Sequence, residues 1–434
     1  MVLDREQVLS QLLPYKEEME KRSREGIEKY RKGDFVLKMD APDGTPVTVR
    51  QRKHAFLFGS TVFMLGSFEE DWKEDVYKEK FAHIFNQGVV PFYWSDLEPT
   101  EGHVRFGRES EPIYRRPPVD VCLDFCREYE ISPKGHCLVW NHFVPKWLAP
   151  YSEAERREIL ERRFSQIASR YADKIPAFDI VNESASNYNH GRKTLFENYE
   201  EYGLMLGGKY LPRNIKILNE TNEAIWRDFA TEGKYCAFHL QLRDLLAKGL
   251  PIDEIGLQYH LFSRAEQLTQ GDVRRVFLDG RNMMDALDLF DSYGLPMHIS
   301  EITIPSYPGR VAENEALQAE LVELYYRLWF SIPHMKSIVW WNLVDGYAAY
   351  APLGSETGEN YYCAGLLRFD MTEKPAYAAL DRLINHEWKT KLDTRVGQGR
   401  VSFRGFYGEY EITVGDQVYV CNLDTDQKEI QLSI

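Results

Sequence analysis

Two glutamates stand where a sheet would present them to a ligand. Glu183 closes the run Phe178-Asp179-Ile180-Val181-Asn182-Glu183, and Glu301 lies in His298-Ile299-Ser300-Glu301-Ile302-Thr303. Each belongs to a short β-branched, apolar run of the kind that forms a strand buried on both faces. A carboxylate at the end of such a strand sits on the rim of the sheet. Two of them, from strands far apart in sequence, can face each other across one pocket. Hydrolysis of a glycosidic bond needs that pairing, with one group to protonate the departing oxygen and one to attack or to activate water.

Strands must carry these groups, and the middle of the chain supplies eight candidates: 56–63, 89–94, 134–140, 177–182, 215–218, 254–260, 296–302 and 337–344. Helical periodicity fills the intervals, over 72–85, 119–129, 153–171, 198–206, 235–247, 272–293 and 313–330, and 375–387 follows the eighth strand. Ser152 and Glu155 form a capping-box signature at the start of the third helix. Eight β-then-α units in order predict an α/β fold, a (β/α)8 TIM barrel.

The flanks differ in pattern. Segments 35–40 and 47–51 alternate around Asp43-Gly44, a hairpin signal, and the tail reads as strands over 401–406, 409–414, 417–421 and 429–433. The expected organisation is an N-terminal helix and β-hairpin segment (1–54), a catalytic barrel (55–390) and a C-terminal β segment (391–434) packed with the N-terminal strands. The end segments then form a small accessory β domain, read as a structural cap in preference to a sugar-binding module.

Bulk composition narrows the partners. The chain has 434 residues, 44% hydrophobic and 28% charged, and a formal charge of −14 that disfavours nucleic acid and anionic membrane surfaces. Six cysteines, at 122, 126, 137, 236, 363 and 421, show no metal-ligand spacing and read as small buried thiols. They fit a reducing compartment. The start, Met1-Val2-Leu3-Asp4-Arg5, lacks a signal-peptide pattern and no long apolar run spans a bilayer. The expectation is a cytoplasmic enzyme, or a secreted one whose signal has been removed, with the cytoplasm favoured.

Chemistry in such barrels sits at the C-terminal ends of the strands. Those ends carry Tyr93-Trp94 (second strand), His136 and Trp140-Asn141 (third), Asn182-Glu183 (fourth), Gln258-Tyr259-His260 (sixth), Glu301 (seventh) and Trp340-Trp341 with Asp345 (eighth). Hydrogen-bonding groups and aromatic faces alternate around one opening, which is what sugars demand. Singly, each has an ordinary explanation: a histidine satisfied in the core, a tryptophan filling the barrel, a surface glutamate. An aldolase-like barrel is disfavoured, since no Gly-rich phosphate loop follows strands seven or eight and no lysine ends a barrel strand.

At these residues the chain resembles glycoside hydrolase family ten, the retaining endo-β-1,4-xylanase family of (β/α)8 barrels. The matching runs are Gly135-His136-Cys137-Leu138-Val139-Trp140, the run ending at Glu183, Ile255-Gly256-Leu257-Gln258-Tyr259-His260, Ile299-Ser300-Glu301, Trp341-Asn342-Leu343-Val344-Asp345, Lys374-Pro375-Ala376-Tyr377 and His54-Ala55-Phe56-Leu57-Phe58-Gly59. The resemblance implies that Glu183 is the acid/base and Glu301 the nucleophile. It also implies that Asn182, His136, Gln258, His260 and Trp341 surround the cleaved sugar, and that neither cofactor nor metal is used. Tyr93, Trp94, Trp140 and Asn141 complete the expected substrate-binding set.

The chain departs from the family pattern at Val89, Val90 and Tyr93, where Glu, Asn and Lys are usual, and at Asn141 and Phe143, where His and Gln are usual. Ala349, unless Tyr350 substitutes, replaces a Trp. In the family these groups hold sugars on the non-reducing side of the cleavage point. A Lys-to-Tyr change removes a cationic donor and adds a ring. The expectation is preserved chemistry with altered specificity for the retained sugar. The substrate is xylan or xylo-oligosaccharide, with another β-glycan, a decorated oligosaccharide, or a catalytically weak carbohydrate-binding barrel as alternatives.

Overall fold

The eight apolar runs pair in chain order and close on themselves. The computed structural model describes residues 1–186, 195–309 and 311–433. Its barrel consists of β3 (Leu57–Thr61), β4 (Gln87–Pro91), β5 (Ser132–His136), β6 (Ala177–Asn182), β7 (Ile215–Glu220), β8 (Glu254–His260), β9 (Met297–Thr303) and β10 (Met335–Trp340). All neighbours are parallel, and β10 returns to β3 to seal the ring. Every residue of β4, β6 and β9 is buried. Side chains fill the barrel on one face and meet helices on the other, so these strands are largely apolar, with the polar residues buried among them.

Several strands stop earlier than their apolar stretches suggest. Tyr93 and Trp94 lie beyond β4, with Trp94 opening a short helix (Trp94–Leu97), and Trp140 and Trp341 lie beyond β5 and β10. Apolarity continues past the ladder because these rings pack beneath the rim. β7 runs on to Glu220. The helix expected over 272–293 is divided into Gly271–Phe277 and Gly280–Asp291, because the Asp279 side chain caps the second, accepting from the backbone N–H of Arg281 and Asn282. The capping box at Ser152 and Glu155 starts helix Glu153–Tyr171 as expected.

The expected hairpin between the first two strands does not form. β1 (Lys32–Met39) pairs with β12 (Arg400–Phe406) and β15 (Glu429–Leu432), whereas β2 (Pro46–His54) pairs with β11 (Lys391–Arg395) and β13 (Gly408–Val414), which carries β14 (Gln417–Leu423). Chain ends thus build two sheets, of three and four strands. Their facing residues, Phe35, Leu37, Val47, Val49, Ile412 and Val414 among them, form a core separate from that of the barrel. Alternation correctly marks one buried face on each strand. It cannot say whether two such faces share a sheet or oppose each other across a sandwich.

The N-terminal helix Lys16–Tyr30 lies against the barrel helix Ala312–Ser331, so closely that a Cβ at Gly26 would sit 2.4 Å from the Ser331 carbonyl oxygen. Among the described residues, no helix is long and apolar enough to cross a membrane.

Candidate active site

The carboxylates come from β6 and β9. β6 ends at Asn182, and Glu183 follows in the left-handed region (φ 53°), its N–H donating to the Asn219 carbonyl at 2.9 Å. A non-glycine residue held there marks strain that the surroundings must enforce, a feature common at functional sites. Glu301 lies within β9 and is buried.

β8 joins the two. The Gln258 Nε2 donates to Glu183 Oε1 at 3.0 Å and to Glu301 Oε1 at 3.1 Å. One nitrogen reaching both keeps those oxygens within about 6 Å of each other, closer than the ~6.5–9.5 Å of an inverting pair and compatible with the ~5–5.5 Å of a retaining one. Asn219, one residue before the end of β7, donates to Glu301 Oε1 at 2.8 Å and to Asn182 Oδ1 at 2.7 Å. His260 Nε2 lies 3.1 Å from Glu301 Oε2, and its Nδ1 lies 2.7 Å from Thr303 Oγ1. Glu301 is therefore fixed by three neighbouring side chains.

His136 approaches from the opposite wall, with Nε2 3.8 Å from Glu301 Oε1. Its other nitrogen meets Asp179 Oδ2 at 2.7 Å, and Lys134 Nζ pairs with the same oxygen at 2.9 Å. Burial works against charge on Asp179, but Lys134 and His136 overcome it and hold the carboxylate well below its usual range. Glu183 goes the other way. Burial, aided by the charge of Glu301 and opposed by the Gln258 hydrogen bond, pushes its pKa up to about 7. A carboxyl whose proton is held this way beside a second carboxyl is suited to the acid role of a divided pair.

Aromatic rings enclose the pair. Trp341 stands edge-on to His136, His260 and Phe63, with centroids 5.7, 5.6 and 5.5 Å away. Phe262 stacks on His260 at 4.7 Å. Trp341, His260 and Phe262, together with Trp140, Gln258 and the two carboxylates, line a cavity of about 470 Å³. A larger groove of about 690 Å³ lies between helices around Lys16, Glu320 and Arg382, away from the strand ends, and its charges pair among themselves.

Most of the expected substrate-binding residues meet here: His136, Trp140, Asn182, Gln258, His260 and Trp341. Three do not. Trp94 is a correction: it is buried, its indole N–H donates to Glu98 at 3.0 Å, and its ring packs against Trp147 and Arg163, so its apolar bulk serves the barrel–helix interior. Asn141 is buried outside the cavity lining, with Oδ1 accepting from the Leu195 backbone at 3.2 Å. Tyr93 belongs to an aromatic wall with Phe63 and Phe143.

Sequence reading missed Asn219, Asp179, Thr303, Glu220 and Glu359. The run Leu218-Asn219-Glu220 repeats the Asn-Glu ending of β6 one strand later, and that repeat was the available signal. Glu220 accepts backbone hydrogen bonds from Ala185 and Thr221, bracing the turn after Glu183, while burial pushes its pKa up to about 8.

A parallel barrel whose strand ends bring two carboxylic acids onto one amide, beside aromatic rings, has the arrangement of the paired-carboxylate glycosidases. The family model for glycosyl hydrolase family 10 matches residues 67–382. The chain belongs to that family. It is 23% identical over 417 residues to endo-1,4-beta-xylanase 2 of Arabidopsis thaliana, covering 92% of this chain and 34% of that protein. It is 26% identical over 288 residues to endo-1,4-beta-xylanase B of Thermotoga neapolitana, covering 64% of this chain and 77% of the relative. The chain thus spans about a third of the plant protein's length and about three quarters of the bacterial one's. The solved xylanase 10B of Thermotoga petrophila RKU-1, in complex with xylobiose, shares the fold with a TM-score of 0.60 at 22% identity, over 77% of this chain and 95% of its own.

Proposed function

We propose that this glycoside hydrolase cleaves β-1,4-linked xylan or xylo-oligosaccharides with retention of anomeric configuration. The observation that supports the reading is the shared Gln258 amide, which reaches both Glu183 and Glu301 and so keeps them closer than an inverting pair. The xylanase names of its relatives support the substrate class.

In the first half-reaction a Glu301 oxygen bonds to the anomeric carbon as the glycosidic C–O bond breaks, and Glu183 passes its proton to the departing oxygen. Forming the ester removes the Glu301 charge, so the repulsion that helped keep Glu183 protonated disappears. Ionised Glu183 then takes a proton from water, whose oxygen attacks the same carbon and frees Glu301. Asn182 Nδ2 is buried with no hydrogen-bond partner among the described residues and is placed to donate to the sugar 2-hydroxyl, a contact that tightens as positive charge develops. Trp341 floors the reacting ring.

Proton NMR of the first-formed product from a xylo-oligosaccharide tests the scheme. The β anomer is expected first; an initial α anomer would exclude double displacement, and no hydrolysis of xylan or its oligomers would overturn the substrate.

A further inference from the structure

We propose that the cleft is closed on the side of the retained sugar, so that the enzyme accepts one terminal residue there and releases it from the non-reducing end, with Glu359 recognising that residue's outer hydroxyls. This rests on the proposed roles of Glu183 and Glu301.

Chemistry fixes the direction in which a substrate lies. Glu183 must reach the departing oxygen, so the leaving portion extends past it over β6 and β7, where Ser186, Thr221, Asn222 and Arg227 line the cavity. The retained sugar lies over Glu301 and Trp341, and its non-reducing end points toward the ends of β10, β3 and β4.

That side is walled. Tyr93 packs on Phe143 with centroids 4.5 Å apart and on Phe63 at 5.8 Å. The Arg116 guanidinium lies 4.2 Å from the Tyr93 ring centre, held by Asp96 at 2.7 Å and by the Arg115 carbonyl at 2.9 Å. Arg115 is anchored in turn to Asn342 Oδ1 at 2.6 Å and to the Tyr347 carbonyl. Tyr93, Phe143, Arg115 and Arg116 are each no more than 8% exposed. None of them lines the cavity, which ends on this side at Trp341 and Glu359. A second retained sugar would need the volume that this stack of rings and guanidinium groups fills.

Glu359 is one of four carboxylates lining the cavity and, like Glu223, has no part in the double displacement. Arg115, Arg116 and His260 attract it electrostatically, and Asn342 stands beside it. Its Oε2 is buried with no hydrogen-bond partner among the described residues. A buried, unpaired acceptor is costly, and a hydroxyl donor from a terminal sugar satisfies it. The equivalent hydroxyl of an internal residue would be consumed in a linkage.

The test is digestion of xylohexaose labelled at its reducing end with 2-aminobenzamide. Free xylose and labelled xylopentaose are expected as first products; labelled fragments of two to four residues without free xylose would overturn the closed wall. Silence on every xylo-oligosaccharide would instead overturn the substrate reading. The wall is then judged on paired 4-nitrophenyl β-glycosides of one and two sugars. A kcat/KM no greater for the disaccharide supports it, and a preference of about tenfold or more for the disaccharide overturns it. Glu359→Gln and Glu359→Ala should each raise KM for the aryl monosaccharide about tenfold with kcat little changed. An unchanged KM in both variants would remove Glu359 from recognition.

Discussion

In the proposed scheme Glu183 is an acid in one half of the reaction and a base in the other, and its environment favours the first state. Burial and the neighbouring Glu301 raise its pKa to about 7, so the proton it must donate is lost as the pH climbs through that value. The alkaline limb of the kcat/KM profile should therefore fall near pH 7. Glu301→Gln removes the like charge and should lower the Glu183 titration, readable by carboxyl-carbon NMR; an unmoved value would assign the whole shift to burial. Glu183→Ala should cost about 10²–10⁴-fold on xylo-oligosaccharides and much less on aryl glycosides, whose leaving groups need no proton. Equal losses on both would refute the acid role. Asn219 makes a subtler case. It touches Glu301 at 2.8 Å, and losing a hydrogen bond to a charged group, ~1.5–3 kcal/mol, predicts a kcat about 10- to 100-fold lower in Asn219→Ala. Both carboxylates could be read from the sequence because each closes or punctuates an apolar run. Asn219 was harder to see: it is a neutral amide one residue before the end of β7, and the glutamate that closes that strand turns to the backbone.

Strands position these groups through their neighbours' small size as much as through their own residues. Gly256 of β8 lies opposite Asn219 of β7, and a Cβ there would fall 2.1 Å from Asn219 Oδ1. Gly256→Ala must displace the amide that holds Glu301. Activity should fall as in Asn219→Ala, and stability by about 1–3 kcal/mol through overpacking. In the Asn219→Ala background the obstructing atom is gone, so the two substitutions should combine with less than additive effect; strict additivity in kcat and in unfolding free energy would sever the link. This scale also separates what the sequence reveals from what it hides. Most barrel strands were legible because burial on both faces favours near-continuous apolar runs, although β5 itself reads Ser132-Pro133-Lys134-Gly135-His136. Strand ends were not, since Tyr93, Trp140 and Trp341 continue the apolar run after the ladder has stopped. β1 and β2 were legible as half-buried strands, but Asp43-Gly44 crosses between two sheets where a hairpin was expected.

Across the whole molecule, the chain's two ends are needed to make one domain. Every partner of β1 and β2 comes from beyond residue 390, so neither N-terminal strand can satisfy its backbone until the C-terminus has been made. The sandwich meets the barrel around Phe58, Phe330, Trp388 and Phe406, with Phe330 and Trp388 stacked at 4.3 Å. Phe58 lies at the start of β3, so this junction is at the end of the barrel remote from Glu183 and Glu301. We infer that a module placed there braces the scaffold without reaching a sugar in the cleft. Val49→Asp puts a charge into the sandwich core, where Val49 is fully buried, and an unpaired buried carboxylate costs several kcal/mol. The thermal midpoint should drop by several degrees while KM at 25 °C stays within about twofold, because the barrel core is a separate cluster. A raised KM at unaltered thermal stability would mean that the sandwich takes part in holding substrate, and that its position beneath the barrel is no guide to its role.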